Sequence, residues 1–446
     1  MKDKRPGNEG EARTILEARL ALAPHCRFIQ GAKYSLVIDL ENGELHRVNS
    51  SVSELLRFSE EGLSIRKILK KTRTDAISMA AFIHEMESRE LIFLQHKPMV
   101  EKGAHLKNPD PTPPAELHSI WMEVTSRCNL RCIHCNADDR EREIFEPGND
   151  KISDWLGQAS ALGCRRVQFT GGECTLRKDI RDHIRFAQAL GFEHIEVFTN
   201  GMNLTESLIR FFAVNKINVA LSLYSFNAES HDAISGVPGS HGMTLNSLKQ
   251  LLAYEVPLRG SIIAMEQNEK ELLATQRFLQ ELGVPSGPFD PVRPCGRRAS
   301  LKHWPGKYSP SFMRTKPQFI VDPNSFQKNL RWNSCWFGKA AITAKGKVIP
   351  CVFARDQIAG DLYKDSLESI VFGPLLEYWG LTRDKISTCR ECEYRYLCND
   401  CRLWAYGYTG DLFAKTPICT YDPYAGEWGP SETALAIEKP AMTCSH

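Results

Sequence analysis

The sequence predicts an α/β protein centred on a partial (β/α)6 barrel, with a small winged-helix-like α+β module in front and a cysteine-rich domain behind. Three observations predict this. Across 118–300, apolar strand-like runs alternate with helical ones, which implies a parallel sheet with right-handed crossovers. Ahead of it, within 28–97, a hairpin signal, three helical stretches and a short closing strand follow one another. Behind it, in the 301–424 region, seven of the 15 cysteines lie between Cys335 and Cys419. At 446 residues the chain is too long for a single core, and two or three domains are expected.

Each element has its own reason. Residues 1–27 read as an N-terminal extension; 1–24 carry charges throughout and no apolar stretch, so no signal peptide is expected. The β-rich runs 33–40 and 44–48 flank Glu41-Asn42-Gly43, a turn signal. Helical patterns follow at 51–58, 64–72 and 75–89, with Ser64 and Asp75 as N-caps, and 91–94 closes the module as a strand. The 98–117 segment, which contains Asn108-Pro-Asp-Pro-Thr-Pro-Pro114, reads as a stiff linker. Barrel strands are expected at 119–124, 166–170, 194–199, 218–223, 258–264 and 286–290, with helices such as 151–162, 178–190, 205–214 and 243–253 between them. Residues 425–446 read as a weakly ordered tail.

Composition narrows the partners. The formal net charge of +2 gives no push toward nucleic acid or membrane surfaces, and no apolar run reaches membrane-spanning length. Fifteen cysteines without an export signal suit a reducing compartment, so a cytoplasmic location and metal-bound rather than crosslinked thiols are expected.

The chemistry starts after the first barrel strand, in Cys128-Asn-Leu-Arg-Cys132-Ile-His-Cys135. Three thiolates on one short loop can hold three corners of an iron–sulfur cube and leave one iron open. A zinc site wants four ligands, and an electron-transfer cluster wants four cysteines. Gly171-Gly172-Glu173 follows the second strand, Thr199-Asn200-Gly201 the third, and Ser222 lies on the fourth. Strand C-terminal ends are where a barrel gathers its functional groups.

This cysteine spacing is that of the radical S-adenosylmethionine (SAM) enzymes, and the chain resembles that family in the following motifs as well. The resemblance implies a [4Fe-4S] cluster on Cys128, Cys132 and Cys135. It further implies Gly171, Gly172 and Glu173 at the SAM amino group, Thr199, Asn200 and Ser222 near its ribose and carboxylate, and His134 near its adenine. Two positions depart from the family: Cys174 stands where proline is usual, and Ser235 where an arginine commonly meets the SAM carboxylate, which leaves Arg259 as a substitute. Cys174 and the remaining scattered thiols Cys26, Cys164, Cys295 and Cys444 read mostly as packed or surface thiols.

The C-terminal cysteines resemble the SPASM extension, apart from an x2 rather than x3 spacing between Cys398 and Cys401. That resemblance implies two auxiliary [4Fe-4S] clusters, one on Cys335, Cys351 and Cys401 and one on Cys389, Cys392, Cys398 and Cys419, making three clusters in all. Seven cysteines leave an eighth ligand to Cys295, a substrate thiol or solvent; a pair of zinc ribbons is the alternative. The N-terminal module resembles the RiPP recognition element, which binds a precursor's leader as an added strand. A DNA-binding winged helix is the alternative, but charges across 30–100 are balanced, a poor footprint for a duplex.

Together these resemblances imply a radical SAM/SPASM maturase, most narrowly similar to the grasp-with-spasm class. It would crosslink a ribosomally made precursor peptide through a thioether, C–C or C–O bond, using a 5′-deoxyadenosyl radical and electrons from a flavodoxin or ferredoxin. Maturation of a protein, as in sulfatase maturation, and an iron–sulfur DNA-binding sensor are the other readings.

Overall fold

A computed structural model describes residues 15–95, 114–137, 144–287, 289–294, 303–305, 319–399 and 401–429. Most of the proline-rich linker, Cys295, Cys444 and the expected tail beyond 429 lie outside the described residues.

The N-terminal module begins before residue 28. Strand β1 (Arg19–Leu22) pairs antiparallel with the closing strand β5 (Ile92–Gln95), and β2 (Cys26–Gln30), β3 (Ser35–Asp39) and β4 (Leu45–Val48) form an antiparallel meander. Three helices follow: α1 (Ser50–Glu60), α2 (Ile65–Thr72) and α3 (Ala76–Ser88). Asp75 caps α3 by accepting from the amides of Ile77 and Ser78, whereas Ser64 holds the N-cap position of α2 without a side-chain cap bond. Cys26 packs with His25 and Asp39, their ligand atoms within 4.8 Å of one another. The Asp39 carboxylate is already occupied, at 2.9 Å each, by the amides of Glu41 and Asn42 and by Asn42 Nδ2, so it braces the β3–β4 turn.

Every residue of β3 is buried, although a hairpin strand ordinarily hides one face. Alternation explains it. Phe28 and Val37 point toward the module's own helices, while Ile29, Leu36 and Ile38 point the other way, into a cluster with Phe326 and Leu397 from the C-terminal domain.

Five parallel strands build the barrel sheet in the order β10-β9-β8-β7-β6: β6 (Ser119–Glu123), β7 (Arg166–Thr170), β8 (His194–Thr199), β9 (Asn218–Ser222) and β10 (Leu258–Ser261). Helices α4 (Asn149–Ala161), α5 (Ile180–Ala189), α6 (Glu206–Val214), α7 (Ala228–Ser235) and α8 (Ser240–Ala253) return the chain between strands. The expected sixth strand is reduced to a bridge from Ser286 to Gly260 and a two-residue pairing of β11 (Ile263–Ala264) with β12 (Asp290–Pro291), reached through α9 (Leu272–Glu281). Pro285 and Pro291 lack the amide donors that a longer ladder needs.

The other barrel edge is not an edge at all. From the C-terminal domain, β13 (Lys339–Ile342) pairs parallel with β6, and β14 (Lys347–Ile349) and β15 (Gly360–Asp361) continue antiparallel, giving one eight-stranded sheet. Around it, α10 (Pro323–Arg331) turns Phe326 to the N-terminal module, while α11 (Leu367–Val371), α12 (Pro374–Trp379) and α13 (Arg402–Thr409) share one core with the fully buried Trp155, Trp336 and Trp379. Residues 421–428, astride the boundary expected for a weakly ordered tail, form a short hairpin of β16 (Tyr421–Asp422) and β17 (Glu427–Trp428).

The docking of the module on the C-terminal domain is testable by a double-mutant cycle. Ile38→Ala and Phe326→Ala should each lower the urea midpoint, with single costs of about 2–5 kcal/mol. Their effects should be non-additive by at least about 0.5 kcal/mol, because both side chains fill one cluster. Strict additivity would contradict the shared core.

Candidate active site

A cavity of about 310 Å³ opens at the C-terminal ends of the barrel strands. Cys128, Cys132, His134 and Cys135 line it from the loop after β6, Gly171, Gly172 and Glu173 from the end of β7, Thr199 and Asn200 from β8, and Ser222 and Tyr224 from β9. Every residue assigned to the SAM cluster or to SAM in the sequence thus meets in one cavity. Val352 and Phe353, which follow Cys351, and Arg293 form part of the same wall.

The cysteine loop is held by backbone contact. Gly171 sits at φ +140°, and a Cβ there would lie 2.2 Å from the Thr125 carbonyl oxygen; one on Gly172 would lie 2.2 Å from that of Arg127. The amides of Gly172 and Glu173 donate to those same carbonyls at 2.8 Å each. The paired glycines, placed by the resemblance at the SAM amino group, are first of all room for the loop that carries the thiols. On the far side the amides of Arg131 and Ile133 donate to Ser235 and Ile234 at the end of α7.

Arg177, which no local pattern marked, fastens both stems of this loop. Its buried guanidinium donates to the Val124 carbonyl at 2.9 Å before the cysteines, to the Pro147 carbonyl at 2.8 Å after them, and to Asn149 Oδ1 at 2.9 Å. Asp179 pairs with it at 2.8 and 2.7 Å.

The Glu173 carboxylate is buried and already engaged. It accepts from the Thr175 amide and hydroxyl at 3.0 and 2.6 Å, from the Thr199 hydroxyl at 2.8 Å and from the Asn200 amide at 2.8 Å. It therefore staples the ends of β7 and β8 together, with one acceptor direction of its second oxygen left for an ammonium group. Asn200 Nδ2 reaches back to Asn129 Oδ1 at 2.8 Å and ties the β8 end to the cysteine loop.

Burial pushes the Cys128 thiol up to about 11 and that of Cys132 up to about 12. Both stay protonated until a cation replaces the proton, which is how a thiol site couples to metal. Burial, with His303 nearby, takes His134 down to about 4, so its imidazole is neutral; its Nδ1 is buried with no hydrogen-bond partner among the described residues. Three convergent thiols, an unsatisfied ring nitrogen on the wall and a glycine cradle fit an iron–sulfur cluster with a bound nucleotide.

Guanidinium–carboxylate pairs stiffen the wall. Arg355, from the C-terminal domain, grips Glu123 at the end of β6 with both terminal nitrogens and donates from Nε to the Asn136 carbonyl at 3.1 Å, while Asn136 Nδ2 donates to the Val352 carbonyl at 3.0 Å. Arg259 pairs with Glu196 at 2.7 and 2.9 Å, and Gln168 donates to the same carboxylate. Arg259 is therefore committed to a partner, though its side chain is half-exposed to the cavity. Ser235, in the position where the family carries arginine, is turned inward to the Ser240 hydroxyl at 2.7 Å. Cys174 is buried, its thiol facing the carbonyls of Phe169 and Phe198 at 3.6 and 3.5 Å, a packed thiol as expected.

In the C-terminal domain Cys389, Cys392 and Cys398 lie near enough that the first and last add to burial in raising the Cys392 thiol. Cys401 lies against the Arg293 guanidinium, which also stacks over Phe353 and Trp404.

Two outcomes follow from the loop's anchoring. Gly172→Ala should shift the cysteine loop, seen as reduced iron loading and several-fold weaker SAM binding with unchanged far-UV circular dichroism. The hydrogen bond from Arg177, reinforced by its charge, holds Asp179 at about 2, below its ordinary 3.8, against the opposing pull of burial. A depressed carboxylate contributes stability above its unfolded pKa and loses it as pH falls through the folded one. The roughly 2 kcal/mol involved should thus vanish between about pH 4 and 2, and Asp179→Asn should flatten that limb of the urea-midpoint profile.

Over residues 122–279 the chain matches the radical SAM superfamily, and over 335–393 the SPASM iron–sulfur cluster-binding domain. It is 25% identical over 343 residues to the AdoMet-dependent heme synthase of Methanosarcina barkeri, spanning 68% of this chain and 96% of that one. It is 26% identical over 329 residues to the antilisterial bacteriocin subtilosin biosynthesis protein AlbA of Bacillus subtilis, spanning 69% and 71%. Among solved structures, native anSMEcpe with bound AdoMet shares the fold at a TM-score of 0.50 and 15% identity, over 71% of this chain and 95% of that one. The chain is accordingly an enzyme that carries a radical SAM domain over 122–279 and, behind it, a SPASM iron–sulfur cluster-binding domain over 335–393.

Proposed function

We propose that the chain matures a ribosomally made precursor peptide by installing a radical-mediated crosslink. The observation that carries this reading is the N-terminal sheet: among the described residues β4 pairs on one side only, with β3. A groove of about 640 Å³ runs beside it, lined by Leu36, Leu45, Arg47, Phe319, Tyr394 and Trp428. An unpaired strand edge beside aromatic side chains suits a peptide added as a further strand. The likeness to a bacteriocin biosynthesis protein supports the same substrate class.

In this reading Cys128, Cys132 and Cys135 hold the SAM cluster. Gly171, Gly172 and Glu173 receive the amino group, Thr199, Asn200 and Ser222 border the ribose and carboxylate, and His134 borders the adenine. Cys335, Cys351 and Cys401 would hold one auxiliary cluster and Cys389, Cys392, Cys398 and Cys419 another. When bound, cluster and SAM supply a one-electron cleavage that yields methionine and a 5′-deoxyadenosyl radical. The chain's own part is to orient and to shield. The barrel wall, with Trp121 and Phe198, keeps water from the reacting carbon, and the neutral His134 adds no charge beside the nucleotide. Joining two peptide atoms removes two hydrogens, one to the nucleoside and one as a proton and an electron; the auxiliary clusters and a flavodoxin or ferredoxin would carry the electron traffic.

A haem-forming reaction is the second reading, favoured by the near-complete coverage of the heme synthase relative. It would bring carboxylate groups of a macrocycle against Arg259, Arg293 and Arg355. Each of these is already paired, with Glu196, Asp290 and Glu123.

Reduced, reconstituted protein given SAM should release 5′-deoxyadenosine and, with the cognate precursor, a product lighter by two hydrogens. Cys132→Ala should abolish nucleoside release while binding of a labelled precursor, followed by fluorescence anisotropy, survives. Nucleoside release by that variant would overturn the ligand assignment, and turnover of a porphyrin but no peptide would favour the second reading.

A further inference from the structure

Tyr224 follows β9, and its ring is buried among Ile234, Met265 and Val292. Two histidines brace that ring: His134 meets it edge-on at 4.8 Å and His231 lies tilted at 5.1 Å. Its backbone is equally fixed. The carbonyl accepts from the buried Asn268 side chain at 2.6 Å, and the amide donates to His231 Nδ1 at 3.3 Å. A side chain held at both ends delivers its hydroxyl to one place, and that place is 3.4 Å from Cys132 Sγ. Among the described residues the sulfur is the hydroxyl's sole hydrogen-bond partner.

A buried hydroxyl requires a partner, and a neutral thiol is a poor acceptor. A cluster-bound thiolate is a good one, because its negative charge strengthens the bond. Cys128 Sγ has donors of its own, the Leu130 amide at 3.4 Å and Asn200 Nδ2 at 4.0 Å, whereas the side-chain donor to Cys132 is the Tyr224 hydroxyl.

We propose that Tyr224 donates a hydrogen bond to the cluster-ligating sulfur of Cys132 and thereby sets the reduction potential of the SAM cluster. The inference rests on the reading of Cys132 as a cluster ligand. A hydrogen bond to a cluster sulfur stabilises the reduced, more negative state over the oxidised one and so raises the potential. Tyr224 is thus a positioning and tuning residue: it touches neither SAM nor substrate in this role, but decides how readily an electron enters the cluster.

The test is an anaerobic redox titration of the full chain, monitored by the electron paramagnetic resonance signal that SAM addition perturbs. Tyr224→Phe keeps the ring packing and removes the donor, so its midpoint potential should fall below wild type. Difluorotyrosine installed at position 224 keeps ring and hydroxyl but makes a stronger donor, so its midpoint should rise. Opposite shifts are what a purely structural role would not produce. Midpoints unchanged in both variants, with the SAM-sensitive signal present, would overturn the proposal. Should Tyr224→Phe fail to load iron, the sign of the fluorinated variant's shift decides alone. A wild-type chain with no SAM-sensitive signal would instead overturn the ligand assignment beneath it.

Discussion

The cysteine loop leans on the backbone of Gly171 and Gly172 with no room for a single methyl group between them, and its two stems share the guanidinium of Arg177. Three thiols can serve one cluster only if their spacing is fixed, and a loop of this length has no regular structure of its own to fix it. The end of β7 supplies the missing rigidity through two amide–carbonyl bonds, and the Glu173 carboxylate passes it on to the end of β8. Neighbouring strand ends therefore present the three thiols and the residues proposed to border the nucleotide as one body.

Charge in the cavity is arranged for order rather than attraction. Glu123 with Arg355 and Glu196 with Arg259 are buried or half-buried ion pairs, a kind that adds little net stability because desolvation offsets the Coulomb gain. What such pairs do supply is orientation. Arg355 in particular reaches from the C-terminal domain to the foot of the cysteine loop, and Asn136 answers it at Val352, beside Cys351. The loop proposed to carry the SAM cluster and one proposed to carry an auxiliary cluster are thus cross-braced by direct hydrogen bonds.

The barrel and the C-terminal domain are joined by sheet, and the N-terminal module is joined to the C-terminal domain by side-chain packing. Strand β13 continues the barrel sheet past β6, so the C-terminal domain and the barrel share one hydrogen-bonded layer and one core. The N-terminal sheet, covered on one face by its own helices and on the other by Phe326 and Leu397, is held against that domain, and among the described residues no strand pairs with the outer edge of β4 beside its aromatic groove.

The cysteine spacing, the glycine pairs and the polar residues after successive strands were legible in the sequence, and all of them line one cavity. The reason is that in a parallel sheet each strand end falls on the same face, so order along the chain becomes proximity in space. Asp75 as a cap and the α/β alternation were legible for a similar reason, since each is a matter of a few neighbouring residues. What only the tertiary structure decided involves partners far apart: β13 on the edge of β6, both faces of β3 buried, Arg355 on Glu123, Arg177 across the loop stems, and the Tyr224 hydroxyl on Cys132. An unpaired strand edge accepts any strand, and a guanidinium or hydroxyl accepts any suitable oxygen or sulfur within reach. Local pattern therefore carries no address for such contacts, and only the folded chain supplies one.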